Sequence, residues 1–343
     1  MTVHALLPAD VASRPTGGNR WDLRVCDELV RAGVRVQRHE LSGDWPAGGA
    51  DVLAAACGAL PDGATVLADG LLGCAHPAVW RRHADRLRAI MIVHLPLALE
   101  TGTPSAAELD ERERDSLAAV DAVIATSPTA AAELARRHGL DPGRIVIAVP
   151  GTDPAPPTVP EPAGGRLLCV AAITSRKGID RLVEALGELA DLTWTCTLVG
   201  PRDREPALQD RLDARIAELG LDRRMIFRGP LTGDDLAAAY AAADLLVLPS
   251  LHETYGMVIT EALARAIPVI STAAGTRDAL GTTPDGPPGA LVDADELSTA
   301  LRRWLTDPGL RARWRRRAEH RRAGLTDWQR TAEPVLRLVG GSS

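Results

Sequence analysis

The segment His252-Glu-Thr-Tyr-Gly-Met-Val-Ile-Thr-Glu261 sets two carboxylates eight positions apart around a glycine. It follows the apolar run Leu245-Leu-Val-Leu-Pro249, which reads as a buried strand, and a helix is expected to begin near Gly256. Ionised carboxylates accept strongly from paired hydroxyls, at roughly 1.5–3 kcal/mol for each charged hydrogen bond. The start of a helix offers backbone N–H groups to an anion. A loop with both suits a ligand that carries hydroxyls on either side of a phosphate. A second feature supplies the countercharge. Of 39 Lys plus Arg residues only Lys177 is a lysine, in Ile173-Thr-Ser-Arg-Lys-Gly178. A compact ammonium just after a strand and beside a glycine suits a phosphate oxygen.

These residues need elements to position them. Short apolar runs near 2–7, 34–38, 65–68, 90–94, 121–126 and 145–149 alternate with helical stretches, beginning with a helix over about 20–32. A second series starts at 167–172, with further strands at 194–199, 225–227, 245–248 and 269–271 and helices over 178–190 and 206–219. Such alternation predicts parallel sheets covered by helices. Between the two series, 151–165 carries five prolines and reads as a stiff linker with little capacity for core packing. The expected organisation is an N-terminal domain over 1–153, a second domain over 154–324 and a last helix over 325–343 that returns to the first domain. Residues 296–323 read as helical, with a basic outer face over 311–322, and Thr326 reads as the cap of the final helix.

Bulk composition narrows the classes. With 343 residues, 45% hydrophobic and 24% charged, the chain is long enough for two ordinary domains. A net charge of −6 gives no drive toward nucleic acid. The five cysteines have no paired short spacing and read as buried thiols in a reducing compartment. The N-terminus passes directly into a strand without a charged leader, so a cytoplasmic protein is expected.

Taken in order, these motifs resemble the retaining family-4 glycosyltransferases, and the resemblance spans nearly the whole chain. It implies an α/β protein of GT-B architecture, two Rossmann-like domains facing across a cleft. The donor, a nucleoside-diphosphate sugar, would bind the second domain and the acceptor the first. By this resemblance Glu253 holds donor-sugar hydroxyls and Glu261 the ribose. The amides near Gly256, Met257 and Val258 meet the distal phosphate, Tyr255 belongs to the same donor-binding loop, and Lys177 binds the diphosphate. The Gly17-Gly18 pair corresponds to a glycine loop that lets backbone approach the phosphates. His94 corresponds to a histidine near the reaction centre, and Arg228 to a residue beside the nucleotide base. The sequence departs from the family at Ala172, where a basic residue is usual; Arg176 is the candidate to replace that charge. Catalytic roles thus fall on His94, Lys177 and Glu253.

The resulting expectation is a metal-independent transferase with no tightly bound cofactor. It would use a UDP-sugar by preference, or a GDP-sugar, and a small-molecule, saccharide or lipid-linked acceptor. Weak peripheral membrane contact through 311–322 is a further expectation. A sugar-nucleotide-binding protein without turnover, or a GT-B epimerase or phosphorylase, stays open as an alternative. Gly17-Gly18 is not the full dinucleotide fingerprint, and no phosphate-loop or His-Glu-x-x-His motif occurs. Closure of the two domains about the linker ends and Gly324-Leu325 is also expected.

Overall fold

A computed structural model describes residues 1–13, 16–100 and 105–341. The chain forms two units, Met1–Gly151 with Thr326–Ser343, and Thr152–Leu325.

In the first unit the strands are β1 (Thr2–Pro8), β2 (Arg35–Leu41), β3 (Ala64–Asp69), β4 (Leu87–Val93), β5 (Ala122–Ala125) and β6 (Ile145–Ile147). They form one sheet in the order β2-β1-β3-β4-β5-β6, and each pairing is parallel. The central strands are continuous apolar runs because helices cover both faces. One face packs Leu6, Val66, Met91 and Val123 in the larger core, and the other packs Ala5 and Leu7 against Cys26 of helix α1 (Gly17–Arg31). α1 starts three residues earlier than its apolar periodicity indicates, because Thr16 caps it by accepting from the Asn19 amide.

The last helix, α14 (Trp328–Gly340), belongs to this unit. Its cap is Asp327, which accepts from the Arg330 amide, and Thr326 is therefore not the cap. The hydroxyl of Thr331 donates to the Val149 carbonyl at 2.8 Å. Arg88 donates to the carbonyls of Leu338 and Val339 at the far end of the helix. Trp328 is buried, with the Arg24 guanidinium 5.0 Å from its ring centroid.

In the second unit, β7 (Arg166–Val170), β8 (Thr195–Val199), β9 (Met225–Phe227), β10 (Leu245–Leu248), β11 (Val269–Ser271) and β12 (Gly289–Leu291) make a parallel sheet ordered β12-β11-β10-β7-β8-β9. Counted within the unit this is the strand order of a dinucleotide-binding sheet. Its switch point lies between β7 and β10. In such sheets ligands bind beyond the carboxyl ends of the strands at that point.

The proline-rich segment stays largely exposed, outside the cores, and is tied down by hydrogen bonds. The Thr158 amide donates to the Arg265 carbonyl at 2.9 Å, and the Glu161 amide donates to Asp244 at 2.9 Å. Arg311 and Arg322 donate to the carbonyls of Pro162 and Ala155. Asp244 is fully buried and is also bound by Arg166 and Arg315. These hydrogen bonds lash the segment to the second unit. The helical stretch at 296–323 is two helices, α12 (Leu297–Thr306) and α13 (Pro308–Arg322). It breaks where Pro308 takes the first helical position and Asp307 caps the Leu310 amide at 2.9 Å.

Candidate functional site

Lys177 and Glu253 meet at the switch point of the second unit. Lys177 ends the short turn after β7 and Glu253 lies in the loop after β10, 76 residues away. Their Nζ and Oε1 atoms are 2.5 Å apart. Gly178 makes the approach feasible. It has φ +62° and lies so close to the loop that a Cβ there would fall 2.2 Å from the Pro249 carbonyl oxygen. The Ser250 hydroxyl donates to the same Glu253 oxygen at 2.8 Å, and the Thr272 hydroxyl in turn fixes the Ser250 carbonyl at 2.9 Å. Burial alone would push the Glu253 carboxyl up, but Lys177 and Arg176 together pull it below its ordinary range. Glu253 is thus held ionised in a site that is only 11% exposed at its side chain.

Arg176 donates to the His252 carbonyl at 3.1 Å and so ties the Lys177 turn to the Glu253 loop. Ala172 follows β7 and is half-buried. The loop then turns through Gly256, at φ +86°, into α10 (Met257–Leu263). Gly256, Met257 and Val258 are half-exposed at this helix start. Glu261 lies one turn further on and accepts from the Tyr240 hydroxyl at 2.8 Å. Arg265 stacks its guanidinium 4.7 Å from the Tyr240 ring centroid. Arg228 stands exposed after β9, where it borders a groove with Leu231 and Asp235.

Tyr255 lies in the same loop as Glu253. It is 5% exposed, in the field of Arg321 and Asp278, and burial pushes its phenol up. Its ring is packed inside the unit.

The first unit carries the other predicted residues. His94 follows β4, and Gly17 and Gly18 open α1. Gly18 serves the imidazole directly, since a Cβ there would fall 2.9 Å from His94 Cδ2. Trp21 meets the His94 ring edge-on at 5.4 Å. Asp22, one turn into α1, places Oδ1 2.9 Å from His94 Nε2. Asp69, at the end of β3, caps the following turn by accepting from the Leu71 amide at 2.6 Å. One atom from each of Asp22, Asp69 and His94 lies within 4.8 Å of the others. Burial pushes the Asp22 carboxyl up to about 7 and the Asp69 carboxyl up to about 8. Burial also lowers His94, against the pull of Asp69 and Glu100. A second buried group, Asp110, Glu113 and His138, ties α5 (Ala106–Ala119) to α6 (Pro128–His138).

Sequence reasoning missed Asp22, Asp69, Ser250 and Tyr240. Ser250 borders the recognised loop, so its place there was open to reading. The other three are scattered over distant elements and carry no local signal.

Residues 161–321 match the family "Glycosyl transferases group 1". The D-inositol 3-phosphate glycosyltransferase of Salinispora arenicola is 32% identical over 257 residues, 66% of this chain and 56% of that protein. Its counterpart from Xylanimonas cellulosilytica is 33% identical over 246 residues, 65% of this chain and 58% of its own length. The chain thus spans a little over half the length of these curated relatives. Among solved structures, sucrose-phosphate synthase from Thermosynechococcus elongatus superposes with a TM-score of 0.79 at 22% identity, covering 99% of this chain and 98% of the other. Anabaena HepE in complex with UDP and glucose gives 0.74 at 18% identity over 100% of both chains. Two parallel sheets flanked by helices, superposing over their full length on these structures, give the chain the GT-B fold, and its sequence is related to the D-inositol 3-phosphate glycosyltransferases.

Proposed function

We propose that the protein is a retaining, metal-independent glycosyltransferase of family-4 type. It would move a sugar from a nucleoside-diphosphate sugar, UDP-linked by preference, to an acceptor hydroxyl. The observation that carries this reading is the Lys177–Glu253 pair at the switch point, beside the start of α10. Its two members suit opposite ends of one donor. The Lys177 ammonium matches the diphosphate, and the Glu253 carboxylate matches sugar hydroxyls. Donor binding exchanges their mutual contact for these two, so neither charge is left buried alone. As the sugar–phosphate bond breaks, negative charge grows on the departing diphosphate, and a fixed cation there favours the transition state over the ground state. Arg176 adds to the same field. Glu261, oriented by Tyr240, is assigned to the ribose, Arg228 to the base edge and His94 to the donor sugar. The preference for UDP is supported by HepE, which has been solved with UDP and glucose.

The acceptor is assigned only as an organic hydroxyl on a small molecule, saccharide or lipid-linked sugar. Among the described residues no helix is long and apolar enough to cross a membrane, and cytoplasmic placement belongs to this proposal. Contact with an anionic surface through α13 would fall on its exposed arginines, Arg313 and Arg316, since Arg311, Arg315, Arg317, Arg321 and Arg322 donate to groups within the second unit.

Thermal unfolding with UDP, GDP and their sugar conjugates, paired with slow donor hydrolysis, tests the function. A saturable rise in melting temperature with one nucleotide series and release of its sugar are expected. No saturable binding of either series would remove the proposal.

A further inference from the structure

The acidic groups behind His94 have no part in the function assigned so far. Asp22 is 1% exposed and Asp69 is 3% exposed, and they approach His94 from α1 and β3. Asp22 Oδ1 contacts His94 Nε2 at 2.9 Å, while Asp22 Oδ2 is buried and has no hydrogen-bond partner among the described residues. Asp69 lies alongside, with its Oδ1 taken by the Leu71 amide. Two carboxylates in such contact, cut off from water, cannot both hold a full negative charge. A proton between them removes the repulsion and gives the orphaned oxygen a partner.

We propose that Asp22 and Asp69 share one proton and together act as positioning residues for His94. The pair fixes the imidazole as the neutral tautomer with its proton on Nε2, donated to Asp22. This inference rests on the assignment of His94 to the donor sugar. The elevated values of both carboxyls agree with a pair that stays singly protonated at neutral pH.

The surroundings fit a single retained proton. Asp22 is faced by Asp69, His94 and Cys26, and Asp69 by Asp22, His94 and Cys74. Both thiols are pushed upward by burial, Cys26 to about 12, so neither ionises near neutrality. Glu100 reaches the imidazole from the segment after β4. Arg20 and Arg24, on α1 beside Asp22, lie over the Trp328 ring at 6.0 and 5.0 Å. The histidine is therefore enclosed by Gly18, Trp21 and Asp22 of one helix, with Asp69 completing its polar side.

The test uses the full chain with ¹⁵N-labelled histidine, the His94 resonances being assigned through His94→Gln. Between pH 6 and 8 the wild type should show a neutral His94 protonated on Nε2. Asp22→Ala should give mixed tautomers and about a hundredfold loss of donor turnover, with donor affinity within threefold. Asp22→Asn retains an oxygen that accepts from Nε2–H, and its amide meets Asp69. This variant should restore the tautomer and at least tenfold of the lost turnover. Because it holds no shared proton, it should also flatten the wild-type fall in turnover above pH about 8. An imidazole that titrates near its ordinary value, or a tautomer unchanged in Asp22→Ala, overturns the proposal. An unchanged alkaline limb in Asp22→Asn does the same, even if Asp22→Ala fails to fold. One equivalent of zinc or magnesium retained by the wild type and lost in Asp22→Ala would also overturn it, since a cation would then occupy the proton's place. A wild type with no donor turnover removes the functional reading, while the tautomer measurement still decides the proton-sharing pair.

Discussion

The two units place polar groups at equivalent positions, beyond the carboxyl ends of parallel strands, yet they solve the burial of a carboxylate in opposite ways. In the second unit a cation answers the charge. Lys177 and Arg176 hold Glu253 ionised, and its carboxyl lies below the ordinary range. In the first unit burial wins, and Asp22 and Asp69 rise to about 7 and about 8. The difference is one of neighbours: cations outweigh desolvation at Glu253, and desolvation governs Asp22 and Asp69.

Removing the cation should produce the largest effect. Lys177→Ala takes away the group proposed to meet charge on the leaving diphosphate, and losses from deleting one such stabilising group run at about 2.7–4 kcal/mol, or 10²–10³ in kcat. Glu253 is then left without its partner, and burial should drive its carboxyl upward. Steady-state kinetics should show kcat falling by about that factor, with weaker diphosphate binding. A kcat within threefold of wild type would separate the ion pair from catalysis and collapse the contrast between the units.

Acid and base should act on the two units with opposite sign. Glu253 has a lowered folded value, so its contribution to stability is present above the unfolded value of 4.5 and is lost as the pH falls through the lower folded one. Asp22 and Asp69 have raised folded values. Their contribution is fully present below the unfolded value of 3.8 and is lost as pH rises toward about 7 and about 8. Asp22→Asn should therefore raise the melting temperature relative to wild type more at pH 8 than at pH 5. Glu253→Gln should lower it at pH 7 and have less effect near pH 4. Equal shifts at both pH values for either variant would show that its carboxyl is not held as described.

The contrast also explains what the sequence disclosed. The alternation of apolar runs and helices was enough to foretell two parallel sheets, because burial on both faces leaves an apolar signature in each strand. Glu253 and Glu261 were legible because one loop and one helix carry both. Lys177 stood out through its rarity. The cluster around His94 was hidden, since α1, β3 and β4 bring Asp22, Asp69 and His94 together from positions that share no short spacing. The burial of the Tyr255 ring was not legible either, since a place in a recognised loop says nothing of the direction a ring takes. The proline-rich segment stays out of the cores, and the hydrogen bonds that tie it down were not legible because its partners, Asp244, Arg265, Arg311 and Arg322, lie 80 or more residues away.

The smallest expected effect is also the most selective probe of the first unit. Gly18 sits in the first turn of α1 with the His94 ring against it. An added methyl would lie 2.9 Å from Cδ2 and 3.1 Å from Cγ of the imidazole, closer than carbon atoms normally approach. The ring must shift to admit it, while alanine is favoured over glycine in a helix by about 1 kcal/mol, which offsets the cost. These terms oppose each other, so Gly18→Ala should leave the melting temperature nearly unchanged. The displacement falls on the 2.9 Å contact between Asp22 and His94, and misplacement of a group near the chemistry costs rate. We expect kcat to fall about three- to tenfold, with donor affinity unchanged and the Nε2 proton of His94 shifted in the ¹⁵N spectrum. A fall in diphosphate affinity with normal kcat would instead place the Gly17-Gly18 turn against the phosphates and release His94 from dependence on α1.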